Sequence, residues 1–97
     1  MATRRPRTPP WTVELDAGAA KELRNLDRQH QVRIVRFLRE RIATAEDPRR
    51  LGRALIGQSA PLWRYRVGPF RLICTIEDDR FVVLVLRIGN RREVYDR

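Results

Sequence analysis

The sequence contains few of the residues that build disulfides, metal centres or catalytic triads. Its 97 residues include one cysteine, Cys74, and one histidine, His30. No disulfide and no Cys/His zinc site can form within the chain, and a thiol protease or a Ser/His/Asp hydrolase is disfavoured. We therefore expect no metal and no other cofactor. Cys74 is interpreted as a buried apolar residue, and His30 as a surface or capping group between two helices.

Long apolar runs and targeting signals are also lacking. The longest apolar run, Phe81 to Leu86, is ended by Arg87 and is far shorter than a membrane span. The N-terminus has paired arginines, Arg4 and Arg5, but no apolar stretch behind them, so a secretory or twin-arginine signal is not predicted. These absences predict a cytoplasmic protein with no membrane partner.

Lysine is nearly absent, although the formal net charge is +9. Lys21 is the only lysine beside 20 arginines, which favours forked contacts to phosphate, although GC-rich coding would give the same bias. Residues 1–10 carry +3, residues 11–47 are neutral and residues 48–97 carry +6. The concentration of charge in one half predicts a polyanionic partner, and solubility is the alternative reason for it.

The first half of the chain predicts an arm, a strand and two helices. Residues 1–10 are interpreted as a disordered basic arm, and residues 11–97 as a single domain. Residues 11–15 alternate apolar and polar side chains, which is typical of a strand, and Asp16 is a plausible N-cap for a following helix. A second helix is predicted to carry one apolar stripe and to end before Asp47-Pro48. The stripe consists of Val32, Val35, Leu38 and Ile42.

The second half of the chain predicts a sheet. Residues 49–61 read as a loop, residues 62–67, 70–77 and 80–88 as strands, and residues 93–95 as a possible last strand. Short turns between these strands require antiparallel pairing. The predicted fold class is α+β, with an N-terminal strand and a two-helix hairpin packed on a curved antiparallel sheet of about four strands.

Arginines alternate with apolar residues in the strand at 62–67. Arg64 and Arg66 should lie on the face opposite Trp63 and Tyr65, which are interpreted as core residues. If the helices cover the apolar face, the other face gathers arginines and one tyrosine, and clustered cations of this kind indicate an anionic ligand or good solvation. The set is Arg64, Arg66, Arg71, Arg91 and Tyr95.

These side chains suit cleavage of RNA, in which the ribose 2′-hydroxyl is the nucleophile. Arginines can hold the phosphate oxygens as negative charge builds, and a tyrosine beside them can act as acid or base. Each residue also has an ordinary interpretation. Arg64 and Arg66 could be a solvated strand face, and Arg71 could pair with Glu77 or Asp79. Arg91 and Arg92 could contact an acidic protein, and Tyr95 could be a packing residue.

The order of motifs resembles toxins of the RelE/ParE superfamily from bacterial toxin–antitoxin modules over roughly residues 11–95. The most specific stretch is residues 63–73, Trp-Arg-Tyr-Arg-Val-Gly-Pro-Phe-Arg-Leu-Ile. The opening Trp-Thr-Val at 11–13, the Ala-Lys-Glu-Leu at 20–23 and the close, Ile-Gly-Asn-Arg-Arg-Glu-Val-Tyr at 88–95, also resemble the family.

The resemblance implies a RelE-like toxin that cleaves messenger RNA in the ribosomal A site, leaving a 2′,3′-cyclic phosphate and a 5′-hydroxyl. By the same resemblance Arg64 and Arg66 would hold RNA phosphates, with Arg92 beside them. Arg71 and Arg91 would stabilise the transition state, and Tyr95 would be the general base. Many relatives have histidine where this chain has Asn90, so an imidazole route is not expected here.

The superfamily also includes ParE-like members, which poison DNA gyrase without catalysis. Arg71, Arg91 and Tyr95 together favour the RelE-like alternative. A degenerate toxin that only binds its antitoxin is a third interpretation. The implied partners are a cognate antitoxin, the ribosome and messenger RNA, with operator DNA contacted only through the antitoxin complex.

Overall fold

The protein has an α+β fold, seen in a computed structural model that describes residues 10–57 and 61–90. Strand β1 is followed by two helices, a π-helical turn at Leu38–Ile42 and a 3-10 turn at Pro48–Leu51. Four more strands complete a sheet. In chain order the helices and strands are β1 (Thr12–Leu15), α1 (Ala17–Arg24), α2 (Arg28–Phe37), β2 (Arg53–Ala54), β3 (Trp63–Val67), β4 (Phe70–Glu77) and β5 (Val82–Asn90).

The sheet has five strands in the order β1-β5-β4-β3-β2. Strands β2 to β5 pair antiparallel, as their short connections require, but β1 runs parallel to β5, with Val13 opposite Val83. The predicted fold class is confirmed, and the N-terminal strand joins the antiparallel strands as a fifth, parallel strand, a pairing that the sequence did not predict. The physical reason is that β1 returns to β5 only after a long crossover, which permits parallel pairing.

One predicted segment differs in the structure, and two others lie outside the described residues. The predicted loop at 49–61 contains the 3-10 turn and the two-residue strand β2, which pairs with β3. The predicted strand at 93–95 lies outside the described residues, as does the predicted arm at 1–10 except for Pro10.

Helix α1 begins where the sequence predicts. Asp16 is its N-cap, and the Asp16 carboxylate accepts a hydrogen bond of 2.9 Å from the backbone N–H of Ala19. This bond satisfies one of the free N–H groups of the first turn.

The buried stripe of α2 differs from the prediction. Leu38 and Ile42 are buried as predicted, but Val32 is 42% exposed and Ile34, which is fully buried, takes its place in the stripe. A spacing of four residues, continued through the π-helical turn, keeps these three side chains against the sheet.

The core lies between the helices and one face of the sheet. Tyr65 on β3 is fully buried, and Phe37 of α2 packs edge-on against its ring at 5.7 Å. No helix among the described residues is long and apolar enough to cross a membrane. The buried cluster comprises Trp11, Ala19, Ile34, Leu38, Ile42, Tyr65, Val67, Phe70, Leu72, Cys74, Val83, Val85 and Ile88.

Candidate nucleic-acid interface

The face of the sheet opposite the helices carries the predicted strand arginines. On β3, Arg64 and Arg66 alternate with the buried Tyr65, so they point away from the core. The strand register places Arg66 directly opposite Arg71 of β4, and Arg64 directly opposite Arg53 of β2. Directly paired residues share a face, so four arginines from three neighbouring strands form one basic face. The term "basic face" below means Arg53, Arg64, Arg66 and Arg71.

Arg71 is the buried member of the basic face, with 8% of its surface exposed. Its proposed pairing with Glu77 or Asp79 was wrong, because Arg71 lies near the start of β4 and Glu77 at its end. Six residues of strand separate them by roughly 20 Å. Glu77 is instead bound by Arg80, at 2.6 Å.

A groove of about 630 Å³ runs along the β2 edge of the basic face. One wall is Arg50, whose guanidinium contacts the Glu46 carboxylate at 2.9 Å and donates to the carbonyl oxygens of Asp47 and Arg41. These contacts hold Arg50 in place and balance its charge. The described residues that line it are Arg50, Leu51, Gly52, Arg53, Arg64 and Arg66.

Arg53 and Arg66 present their charge to solvent. Both are exposed, and neither forms an ion pair or side-chain hydrogen bond with any residue in the described ranges. Two exposed guanidinium groups on neighbouring strands give the groove a positive potential. A positive potential of this kind attracts an anionic ligand.

The acidic residues of the sheet lie at its other end. Asp78 accepts two hydrogen bonds from Arg49, at 2.7 and 3.0 Å, and this contact lowers the pKa of the Asp78 carboxyl. Glu14 is 3.4 Å from the Arg80 guanidinium. These carboxylates are matched by their own arginines, so they do not neutralise the basic face.

Tyr65 cannot serve as an acid or base on the basic face. Its hydroxyl donates a 2.7 Å hydrogen bond to the carbonyl oxygen of Pro48 inside the core, and burial raises the pKa of the Tyr65 phenol. The chain has two tyrosines, so Tyr95 is the remaining candidate.

The two other reactive side chains also lie on the helix side of the sheet. Cys74 is fully buried, as predicted, and burial raises the pKa of its thiol. His30 lies in the first turn of α2, where its ring packs edge-on against Phe70 at 4.8 Å. His30 is half-buried, and its contact with Phe70 is a packing role that the sequence did not predict.

Three predicted site residues, Arg91, Arg92 and Tyr95, lie outside the described residues. Strand β5 ends at Asn90, opposite Phe70, and Gly89 lies opposite Arg71. The chain therefore leaves the described part of the sheet beside the row that contains Arg66 and Arg71.

The end of β5 is held by a carboxylate from α1. Glu22 accepts a 2.7 Å hydrogen bond from the backbone N–H of Ile88 through one oxygen, and a 3.1 Å bond from Arg87 Nε through the other. Strand β1 pairs with β5 only as far as Val85, so Glu22 satisfies an edge N–H that no strand covers.

Sequence reasoning missed Arg50, Arg53 and Glu22. Arg50 and Arg53 fell in the predicted loop, and a two-residue strand gives no alternation to recognise. Glu22 was noted only as part of a motif, and its contact with Ile88 joins positions 66 residues apart. Within the two described ranges, no group of three or more His, Cys, Asp or Glu side chains could hold a metal ion.

The described part of the chain is thus a small mixed sheet with two helices on one face and arginines on the other. The model of the family "ParE toxin of type II toxin-antitoxin system, parDE" matches residues 13–95. The chain therefore belongs to this family of toxins, within the RelE/ParE superfamily.

Known relatives agree with this assignment. The chain is 28% identical over 88 residues to toxin RelG of Mycobacterium tuberculosis, covering 91% of this chain and 99% of that one. The toxin–antitoxin complex RelBE2 from the same organism contains a chain with 26% identity and a TM-score of 0.77, over 91% of this chain and 98% of that one. The archaeal RelE–RelB complex of Pyrococcus horikoshii shares the fold, with 22% identity and a TM-score of 0.64, over 88% and 99% of the two chains.

Proposed function

We propose that this toxin is a metal-independent endoribonuclease that cleaves messenger RNA, in the ribosomal A site, by attack of the ribose 2′-hydroxyl. The observation that carries the proposal is the direct pairing of Arg66 with the buried Arg71 on the helix-free face. Two guanidinium groups that lie opposite each other on neighbouring strands can both donate to the non-bridging oxygens of one phosphate.

The chemistry needs little from the protein beyond orientation, charge and proton transfer. The 2′-oxygen attacks phosphorus and its proton passes to a base, for which Tyr95 is proposed. The bond from phosphorus to the 5′-oxygen breaks, and that oxygen takes up a proton. Arg71 and Arg91 would stabilise the charge that builds on the phosphate oxygens, while Arg64, Arg66 and Arg92 would hold neighbouring phosphates.

A cognate antitoxin is the proposed protein partner. Two of the related structures are complexes of a toxin with its antitoxin, RelBE2 and the archaeal RelE–RelB. An acidic or amphipathic antitoxin segment laid on the basic face would neutralise it and would exclude RNA. Contact with operator DNA would then come through the antitoxin.

The test maps messenger RNA ends after brief expression of the wild type, Arg71→Ala and Tyr95→Phe. Arg36→Ala serves as the matched control, because Arg36 is exposed on α2, on the helix side of the sheet. Loss of an oxyanion-binding group typically costs about 10²–10³ in rate, and loss of a general base about 10²–10⁴. We expect the wild type to give cuts in phase with codons. The cuts should be strongly reduced in Arg71→Ala and Tyr95→Phe and unchanged in Arg36→Ala.

ParE-like inhibition of DNA gyrase is the second candidate, favoured by the ParE description of the matching family. Purified gyrase is assayed for supercoiling in parallel with the mapping of RNA ends. Gyrase inhibition without RNA cuts would replace the nuclease proposal by this one. If the protein neither cuts RNA nor inhibits gyrase, we would infer a chain that only binds its antitoxin.

A further inference from the structure

We propose that the groove at the β2 edge of the sheet is a separate binding subsite for the phosphodiester backbone of single-stranded nucleic acid, with Arg53 as its principal ligand. The choice of ligand rests on the proposed function, but the subsite is distinct from the buried Arg71. The groove has about 630 Å³ of space, and the described residues that line it include four arginines and no acidic residue.

The groove has the volume and the charge to hold a chain rather than a single ion. Arg53 pairs in register with Arg64 on the neighbouring strand, and Arg66 follows two residues further along β3, roughly 6.6 Å away. Guanidinium groups at this spacing can contact successive phosphates of an extended strand. A cationic groove that follows the backbone in this way is the common feature of single-strand binding sites.

The floor of the groove is built to keep Arg53 in place. Gly52 lies so close to β3 that a β-carbon there would overlap Trp63 Nε1 and come within 2.5 Å of the carbonyl oxygen of Arg64. Only glycine allows this approach, and it brings β2 into pairing with β3. Arg50 forms a fixed wall through its contacts with Glu46, Asp47 and Arg41, and Arg53 is the exposed arginine of β2 beside it.

The position of the subsite extends the site along the sheet. Arg53 is on β2 and Arg71 is on β4, with β3 between them, and Arg53 is level with Arg64 while Arg71 is level with Arg66. Two strand spacings and two residues along the strand therefore separate the two positions by roughly 12 Å. A nucleic-acid strand whose reacting phosphate lies at Arg71 would place another phosphate, further along its backbone, at Arg53. Arg53 would bind RNA without contacting the reacting atoms.

The experiment measures binding of a fluorescent single-stranded 2′-deoxyoligonucleotide by anisotropy over a series of salt concentrations. The deoxy strand has the phosphates but lacks the 2′-hydroxyl, so it is not cleaved. Arg53→Ala is compared with Arg53→Lys and with the control Arg36→Ala, an arginine that is likewise exposed and without an ion pair among the described residues. Thermal melting confirms that each variant is folded.

We expect Arg53→Ala to weaken binding and to reduce the slope of log K against log salt by about 0.7, the value for one phosphate contact on a single strand. Arg53→Lys should keep the slope, because it keeps the charge, and Arg36→Ala should match the wild type. Equal effects of Arg53→Ala and Arg36→Ala would overturn the subsite. Gly52→Ala gives a second measurement, since displacement of β2 should lower affinity in the same way.

The two proposals can fail separately. If binding depends on Arg53 but the protein cuts no RNA, the nuclease proposal is contradicted and the subsite proposal is supported. If the protein cuts RNA but Arg53→Ala does not change binding, the subsite proposal is contradicted and the nuclease proposal is supported. Poly-glutamate is titrated as a comparison ligand. If only poly-glutamate binding depends on Arg53, the groove is a site for an acidic peptide and the proposal is overturned.

Discussion

Glu22 shows how one side chain can complete an edge that the backbone leaves open. Its two oxygens accept from Ile88 N–H at 2.7 Å and from Arg87 Nε at 3.1 Å. Beyond Val85, where pairing with β1 ends, this carboxylate takes the position of the missing strand. The contact joins α1 to the last described residues of β5. It therefore supports the part of β5 in which Gly89 pairs with Arg71.

Glu22→Ala is expected to lower the free energy of unfolding by about 1–3 kcal/mol, because it leaves a part-buried N–H without its acceptor. Glu22→Gln should cost less, since an amide oxygen can still accept from Ile88 while the contact with Arg87 weakens. Urea unfolding of the two variants checks the order. Equal losses in both would assign the contribution to the ion pair with Arg87 instead.

The turn between β3 and β4 is an element whose conformation depends on one glycine. Gly68 has φ of +58°, in the left-handed region, and faces the guanidinium of Arg33. The turn sets the register that places Arg66 opposite Arg71.

Gly68→Ala is expected to cost about 1–2 kcal/mol, because an L-residue is strained at this φ. The matched control is Gly18→Ala in α1, where a β-carbon would have only ordinary contact, 3.5 Å from Asp16 Oδ1. This control should gain up to about 1 kcal/mol, since alanine is the better helix former. Thermal melting of both variants gives the comparison, and destabilisation by Gly18→Ala would contradict it.

The Arg49–Asp78 contact joins the 3-10 turn to the turn after β4. Hydrogen bonding from Arg49 lowers the pKa of Asp78 below its usual 3.8, so folding favours the ionised carboxylate. The contribution is therefore present at neutral pH and is lost as the pH falls through the lowered pKa of the folded state.

Asp78→Asn is expected to reduce stability at pH 7 by less than about 1 kcal/mol, because the pair is solvent-exposed. The difference from the wild type should disappear in acid, below the folded-state pKa of Asp78. Urea unfolding at pH 7 and at low pH tests the sign. A difference that grew in acid would show that another group carries the effect.

The two faces of the sheet have different environments: one is buried under the helices and the other carries arginines. The helices cover the face with Tyr65, Leu72 and Val83, and the arginines occupy the other face at one end. The acidic residues at the opposite end are matched by Arg49 and Arg80. Within the described sheet, the arginines without a neighbouring carboxylate on their strands therefore lie at one end of the helix-free face.

This distribution predicts that affinity for single-stranded nucleic acid falls steeply with salt. If three to five phosphates are contacted, log K should fall with log salt at a slope of roughly −2 to −3.5. Anisotropy titrations from low to physiological salt measure the slope. A flat response would contradict a polyanion as the ligand of the basic face.

Local pattern accounted for the elements whose contacts are close in sequence. Strand β4 was predicted with its observed bounds, Phe70–Glu77, because apolar residues and turn residues mark both ends. The N-cap at Asp16 and the burial of Cys74 were also confirmed, because each depends on residues that are close in the sequence. The prediction for α2 was wrong at Val32. Val32 and Ile34 are both apolar, and packing against the sheet decides which of them is buried.

The sequence by itself determined the class of fold, the antiparallel order of the later strands and the alternation that separates Arg64 and Arg66 from the core. Period-two alternation and short turns are local properties, so they can be read along the chain. Only the tertiary structure decided that β1 lies parallel to β5, that Arg53 stands beside Arg64, and that Glu22 holds the end of β5. Each of these depends on which segments meet after a long crossover or at a two-residue strand, where packing outweighs local preference.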